Sequence, residues 1–80
     1  MFKMGVRIMP RAEVLDTQGR AVGMTLKSKG FQVTDCKVGK FVILQLEAEN
    51  ASHAKAQAVK ISEELLCNTL IETFQVEELS

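Results

Sequence analysis

The stretch that decides the fold of this 80-residue chain is Val38-Gly39-Lys40-Phe41-Val42-Ile43-Leu44-Gln45-Leu46. Gly39 and Lys40 predict a two-residue hairpin turn, because glycine at the first central position accepts a positive φ. The residues after this turn have the composition of a strand. Side chains alternate along a strand, so one face carries Val42, Leu44 and Leu46 and the other carries Phe41, Ile43 and Gln45.

Both faces of this strand are largely apolar, whereas a strand in a small two-layer domain usually has one face in water. Something outside a single chain of this size would then cover Phe41 and Ile43. The alternative is that these two side chains reflect β-propensity alone and stay half exposed. The second face of the strand is therefore a candidate contact surface.

The composition is that of one small globular domain, with 46% hydrophobic and 25% charged residues. A core of this size is marginally stable alone and is often supplemented by oligomerisation. The net charge is zero, but residues 1–40 hold eight basic and three acidic residues, and residues 41–80 hold two and seven. This asymmetry would support charge-complementary assembly, unless each element simply has its own solvated face.

Composition also argues against several classes of protein. A neutral chain without a dense Lys/Arg cluster is a poor candidate for binding nucleic acid. No apolar run approaches the roughly 20 residues needed to cross a bilayer, and the first residues do not resemble a signal peptide. We therefore expect a cytoplasmic protein. Cys36 and Cys67 show no CxxC spacing, so two reduced thiols are expected rather than a disulfide.

No set of residues in the sequence predicts catalysis. His53 is the only histidine and has no suitable partner nearby in sequence, so it is expected on a helix surface. Gly19 and Gly23 do not have the spacing of a phosphate-binding loop, and close backbone packing within the domain explains them better. We expect no catalytic residues, no metal site and no cofactor.

The remaining patterns predict the element order βαββαβ. Alternation over residues 2–9 indicates a first strand that Pro10 ends, and Asp16 and Gly30 are suited to begin and end the first helix. The other predicted strands cover residues 31–38, 41–48 and 71–78. A second helix is predicted that Asn50 or Ser52 caps and that Asn68 stops in a left-handed conformation. Its buried stripe is Ala51, Ala54, Ala58, Ile61 and Leu65, with Leu66 beside it.

This order predicts an α+β fold in a single domain of residues 1–80. The fold class is a two-layer sandwich of ferredoxin-like type, in which an antiparallel sheet carries two helices on one face. Fold alone does not identify a function.

Three stretches resemble the PurS family, the small subunit of phosphoribosylformylglycinamidine synthase. They are Val14-Leu15-Asp16-Thr17-Gln18-Gly19-Arg20-Ala21-Val22, Lys37-Val38-Gly39-Lys40-Phe41, and Leu65-Leu66-Cys67-Asn68-Thr69-Leu70-Ile71-Glu72-Thr73-Phe74. They follow the family's order and span most of the chain. Thr17 and Thr69 stand where the family often has proline, which is favourable at the first helical position but replaceable.

The resemblance implies a non-catalytic subunit of a ligase complex in de novo purine biosynthesis. In that family a large synthetase subunit performs an ATP-dependent amidation, a glutaminase subunit supplies ammonia, and the small subunit bridges them as a dimer. For this chain it implies both subunits as partners, a homo-oligomer (dimer or tetramer), and no nucleic acid or membrane. The implied self-association residues are Phe41, Ile43 and Gln45, and the implied contacts with a partner subunit are Asp16, Gln18 and Gly19.

A ligand-sensing domain is the alternative from another functional class. Such a domain would have the same ferredoxin-like topology and bind an amino acid or a nucleotide at a dimer interface. The connection from Pro10 to Leu15 lacks the glycine-bearing loop expected of it, which argues against this alternative.

Overall fold

The structure, a computed structural model, describes residues 1–79. Its elements in chain order are β1 (Phe2–Pro10), α1 (Thr17–Ser28), β2 (Lys40–Leu46), α2 (Ala51–Ile61) with a π-helical turn (Ser62–Leu66), and β3 (Glu72–Glu78). The strands form one antiparallel sheet in the order β2-β1-β3. The predicted α+β fold with an antiparallel sheet and two helices is confirmed.

The core lies between β1 and α2. Met4, Val6 and Ile8 on one face of β1 are at most 1% exposed, and Ala54 and Ala58 of α2 are fully buried. Alternation in the strand and a spacing of four in the helix put these residues on facing surfaces. The small alanines let the helix axis approach the sheet closely. We call β1, β2, β3, α2 and its π-helical turn the body of the molecule.

The sequence predicts that the first strand stops at residue 9, whereas in the structure Pro10 is the last residue of β1. The amide of Leu79 donates a hydrogen bond to the carbonyl of Lys3. Because backbone groups alternate in direction along a strand, the odd-numbered residues of β1 direct theirs to β3 and the even-numbered residues direct theirs to β2. The pairing of β1 with β2 ends at Ile8. The missing N–H of Pro10 therefore removes no ladder hydrogen bond.

The end of the second helix differs from the predicted stripe. A π-helical turn has an extra residue, so the inward position shifts from Leu65, which is 81% exposed, to Leu66, which packs on the core. The hydroxyl of buried Ser62 donates to the carbonyl of Ala58 at 2.7 Å. Asn68 is not left-handed; its side chain instead accepts a hydrogen bond from the amide of Leu70, as in an Asx turn.

The predicted strand over residues 31–38 and the predicted hairpin turn at Gly39-Lys40 are both wrong for a single chain. Residues 31–38 pair with no strand of residues 1–79, and Gly39 has no positive φ. The chain bends at Thr34 and then enters β2 without reversing direction. Gly39 is needed for another reason, since a Cβ there would overlap the carbonyl oxygen of Ile8.

We call residues 17–39, which comprise α1 and the extended segment after it, the arm. The helix that packs on the sheet is mainly α2. The arm therefore makes the molecule longer and adds no second layer over the sheet. The extents are 50 × 26 × 14 Å. The radius of gyration is 15.7 Å, compared with about 12 Å expected for a compact chain of this length.

Candidate functional site

The outer face of the sheet, on the side away from α2, carries the predicted self-association residues. Phe41 and Ile43 are 47% and 56% exposed, and Gln45 is exposed beside them. Val42 and Leu44, the even-numbered neighbours, pack on the core. The predicted division of β2 into two faces is therefore confirmed. That a second chain covers the outer face stays a prediction.

Phe41 is held in place by residues of β1. Its ring covers Gly5, where a Cβ would overlap the ring, and the guanidinium carbon of Arg7 lies 5.7 Å from the ring centroid. Arg7 Nη2 also donates to Glu77 Oε1 at 3.1 Å. Both side chains of this ion pair are about half exposed, so it contributes little stability alone. The outer face is therefore an ordered surface with an apolar ring at its centre.

Asp16, a predicted partner contact, joins the two parts of the arm. Its Oδ1 accepts from the amide of Gly19 at 2.9 Å, which confirms the predicted N-cap, and its Oδ2 accepts from the amide of Val38 at 2.8 Å. The hydrogen bond from Gly19, followed by that from Val38, lowers the pKa of Asp16 from its ordinary value. Both carboxylate oxygens are thus used within the chain.

The other two predicted partner contacts differ in exposure. Gly19 is buried, and a Cβ there would overlap the carbonyl oxygen of Cys36, while a Cβ on Gly23 would lie 3.3 Å from Cys36 Cβ. This confirms close backbone packing within the domain. Gln18 is exposed in the first turn of α1. Of the three residues only Gln18 offers a free side chain to another subunit, and that contact stays a prediction.

The remaining polar and ionisable groups form no reactive cluster within residues 1–79. No group of three His, Cys, Asp or Glu residues there could hold a metal ion. His53 is exposed on α2, as predicted, and its Nδ1 accepts from the amide of Glu49 at 3.4 Å. Both cysteines are free, and burial raises the pKa of the Cys67 thiol. An open groove of about 490 Å³ lies between α1 and residues 33–37.

No helix within residues 1–79 has the length and apolar character required to span a membrane.

The sequence interpretation missed one structural feature, the free edge of β2. β2 lies at the edge of the sheet and, among residues 1–79, pairs only with β1. The predicted hairpin would have covered this edge with residues 31–38. Because the chain does not reverse at Gly39, the edge stays open along the strand. The signal in the sequence is the high β-propensity of residues 31–38, which predicts a strand although these residues pair with no strand of residues 1–79.

Comparisons with known proteins agree over almost the whole chain. The family described as PurS: Phosphoribosylformylglycinamidine (FGAM) synthase matches residues 3–79. The Thermotoga maritima protein named phosphoribosylformylglycinamidine synthase subunit PurS is 35% identical over 99% of this chain and 98% of its own length. The comparisons give no support to the ligand-sensing alternative.

Solved structures show the same similarity in three dimensions. Bacillus subtilis PurS has a TM-score of 0.86 and 32% identity, covering 100% of both chains. A chain in the structure of PurLQS from Thermotoga maritima has a TM-score of 0.90 and 35% identity, covering 98% of this chain and 96% of that chain.

Proposed function

This chain belongs to the PurS family, and from this premise we propose that it is the non-catalytic small subunit of a phosphoribosylformylglycinamidine synthase complex in the cytoplasm. The similarity to a chain of a PurLQS structure supports this proposal, since it extends over 98% of this chain. In this role the protein bridges an ATP-dependent synthetase subunit and a glutaminase subunit of de novo purine biosynthesis. It keeps the site that releases ammonia close to the site that consumes it.

A bridging subunit acts through its surfaces, and the outer face of the sheet supports self-association best. Phe41 and Ile43 are large, apolar and about half exposed on an ordered strand. Burying both side chains would contribute about 3–5 kcal/mol before the entropy of association is subtracted. Gln45 continues the same face with a polar group. We assign these three residues to the contact between two copies of the chain.

The beginning of α1 is our candidate for contact with the large subunits. Gln18 is exposed there, while Asp16 and Gly19 fix the helix to Val38 and to the backbone at Cys36. In this assignment Gln18 touches the partner subunit, and Asp16 and Gly19 position it.

Reconstitution tests the proposed function. The chain is added to the purified synthetase and glutaminase subunits of its own organism, and formation of the amidine product is measured with glutamine or with ammonium as nitrogen source. We expect the chain to raise the glutamine-dependent rate at least tenfold and to leave the ammonium-dependent rate within twofold. Equal glutamine-dependent rates with and without the chain would contradict a bridging role.

A further inference from the structure

We propose that the free edge of β3 is a docking site for an extended segment of the synthetase or the glutaminase subunit. The segment adds to the sheet as a further strand and carries lysine or arginine side chains. The proposal rests on the proposed function, since it specifies how this chain holds one of the two larger subunits. It uses neither the arm nor the outer face of the sheet.

The backbone hydrogen bonds of β3 show which of its residues face the free edge. The amide of Leu79 donates to the carbonyl of Lys3, and the amide of Arg11 donates to the carbonyl of Ile71. Both hydrogen bonds join odd-numbered residues, and they lie at opposite ends of the ladder between β1 and β3. Odd-numbered residues of β3 therefore direct their backbone groups to β1, and even-numbered residues direct theirs away from it.

This edge has no partner strand within residues 1–79. β3 is the outermost strand and pairs there only with β1. The amides of Phe74, Val76 and Glu78 consequently have no acceptor in the part of the chain that the structure describes. Free amides at alternate positions, together with the carbonyls of the same residues, are the pattern with which an added strand pairs.

An open groove at the same edge would receive the side chains of such a strand. Its volume is about 380 Å³, and residues of α2 and β3 form most of its lining. Val59 and Val76 give it apolar surface, and Lys55 lies beside them. Side chains alternate along a strand, so every second residue of the segment would meet the valines, and the others would face Gln75 and Glu77.

Charge decides what kind of segment fits this edge. Residues 72–78 hold three glutamates and no lysine or arginine. A second copy of β3 at this edge would bring the glutamates of both strands together, and like charges on neighbouring strands are destabilising. Within the described residues, Arg7 forms an ion pair with Glu77 alone. A segment with a lysine or arginine near Glu78 would complement the charge that is left.

The edge is also ordered before any partner arrives. Phe74 and Val76 pack on the core, so their side chains fix β3 on the face toward α2. On the other face, Arg7 Nη2 lies 3.1 Å from Glu77 Oε1. Arg11 Nη2 donates to the carbonyl of Thr69 at 2.8 Å, shortly before the strand begins. A preorganised edge loses little conformational entropy when a strand is added, which favours binding.

Hydrogen exchange in the reconstituted complex tests the site. The 15N-labelled chain receives short pulses of deuterated buffer, alone and with the purified synthetase and glutaminase subunits, and NMR after quenching measures each amide. We expect the amides of Phe74, Val76 and Glu78 to exchange about tenfold more slowly in the complex. The amides of Ala51 and Ser52, which have no acceptor in the first turn of α2, are the control and should change less than about twofold.

Substitutions of Glu78 provide a second test, with Glu78→Ala as the matched control. Proline is tolerated at an edge position whose amide faces away from the ladder, and circular dichroism checks that the fold is retained. We expect Glu78→Pro to bind the two larger subunits about tenfold more weakly than Glu78→Ala, because it removes an edge donor. Glu78→Lys should bind about threefold more weakly than Glu78→Ala, because it repels a basic segment. Tighter binding by Glu78→Lys would overturn the charge that we assign to the segment.

The exchange experiment also separates this proposal from the proposed function. A complex that assembles and uses glutamine while the amides of Phe74, Val76 and Glu78 stay unprotected would overturn docking at β3 and leave the proposed function intact. Failure of the three proteins to assemble would remove both. Protection of these amides already in the isolated chain, at a concentration where it self-associates, would assign the edge to a second copy and overturn the proposal.

Discussion

The body and the arm have similar residue patterns and very different burial. Met4, Val6 and Ile8 in the body are at most 1% exposed, whereas Met24 and Phe31 in the arm are 65% and 60% exposed. The body has a helix and two neighbouring strands that cover its apolar residues. The arm has one helix, one extended segment and no sheet of its own. Apolar patterning thus becomes a core only where the same chain also supplies the opposing surface.

Removing a core side chain from the body should produce the largest effect. We expect Ile8→Ala to lower the free energy of unfolding by about 2–5 kcal/mol, because it leaves a cavity in the cluster that Ile8 forms with Cys67 and Leu66. Urea denaturation followed by circular dichroism measures the change. The control Leu65→Ala removes a side chain that is 81% exposed and should change the free energy by less than about 0.5 kcal/mol. Equal losses would contradict the position of the core.

Placing a charge on the outer face should affect association and not folding. We expect Ile43→Asp to raise the dissociation constant of the homo-oligomer about 10- to 100-fold, because a carboxylate would have to be desolvated in the contact. Light scattering across a dilution series measures this, and circular dichroism checks that helix content is retained. Ser52→Asp, an exposed change on α2 on the opposite side of the sheet, is the control. An unchanged mass for Ile43→Asp would remove this residue from the interface.

A methyl group inside the arm should loosen the arm alone. In Gly19→Ala the added Cβ overlaps the carbonyl oxygen of Cys36, and we expect the arm to lose about 1–3 kcal/mol of local stability. In Gly23→Ala the nearest atom is 3.3 Å away, and the gain in helix propensity of about 1 kcal/mol offsets the crowding. Hydrogen exchange should accelerate in α1 and not in β1. Equal acceleration in both elements would show that the arm is not an independent unit.

The smallest expected effect is the titration of Asp16. The amides of Gly19 and Val38 lower the pKa of Asp16 in the folded chain. The stabilisation that the carboxylate gives to the folded state is therefore present above the unfolded pKa, and it is lost as the pH falls through the folded pKa. We expect the amide resonances of Gly19 and Val38 to shift together with one midpoint below 3.8, while that of Gly23 does not follow. Different midpoints for the two amides would contradict a shared carboxylate.

Local signals predicted the parts of the fold that depend on local chemistry. The caps at Asp16 and Asn50 and the two faces of β2 follow from hydrogen-bonding capacity and alternation, and all are present. The shift from Leu65 to Leu66 was not predictable from spacing, because a π-helical turn inserts a residue without a sequence mark.

The arm could not be predicted from the same signals, because the β-propensity of residues 31–38 does not say which chain supplies a partner strand. Glycine favours turns, so the sequence predicts a turn at Gly39, whereas in the structure Gly39 permits a close approach to the carbonyl of Ile8. Of the candidate site residues, the exposure of Phe41 and Ile43 followed from alternation. The role of Asp16 within the arm depends on a contact 22 positions away in sequence.

The paired hydrogen bonds of Asp16 have a consequence for the kinetics of assembly. One carboxylate fixes both ends of the arm, since it accepts from Gly19 at the beginning of α1 and from Val38 at the end of the extended segment. A helix and an extended segment that are tied in this way move as one rigid piece. A partner subunit that contacts Gln18 would then meet a preformed surface, so association would not wait for the arm to become ordered.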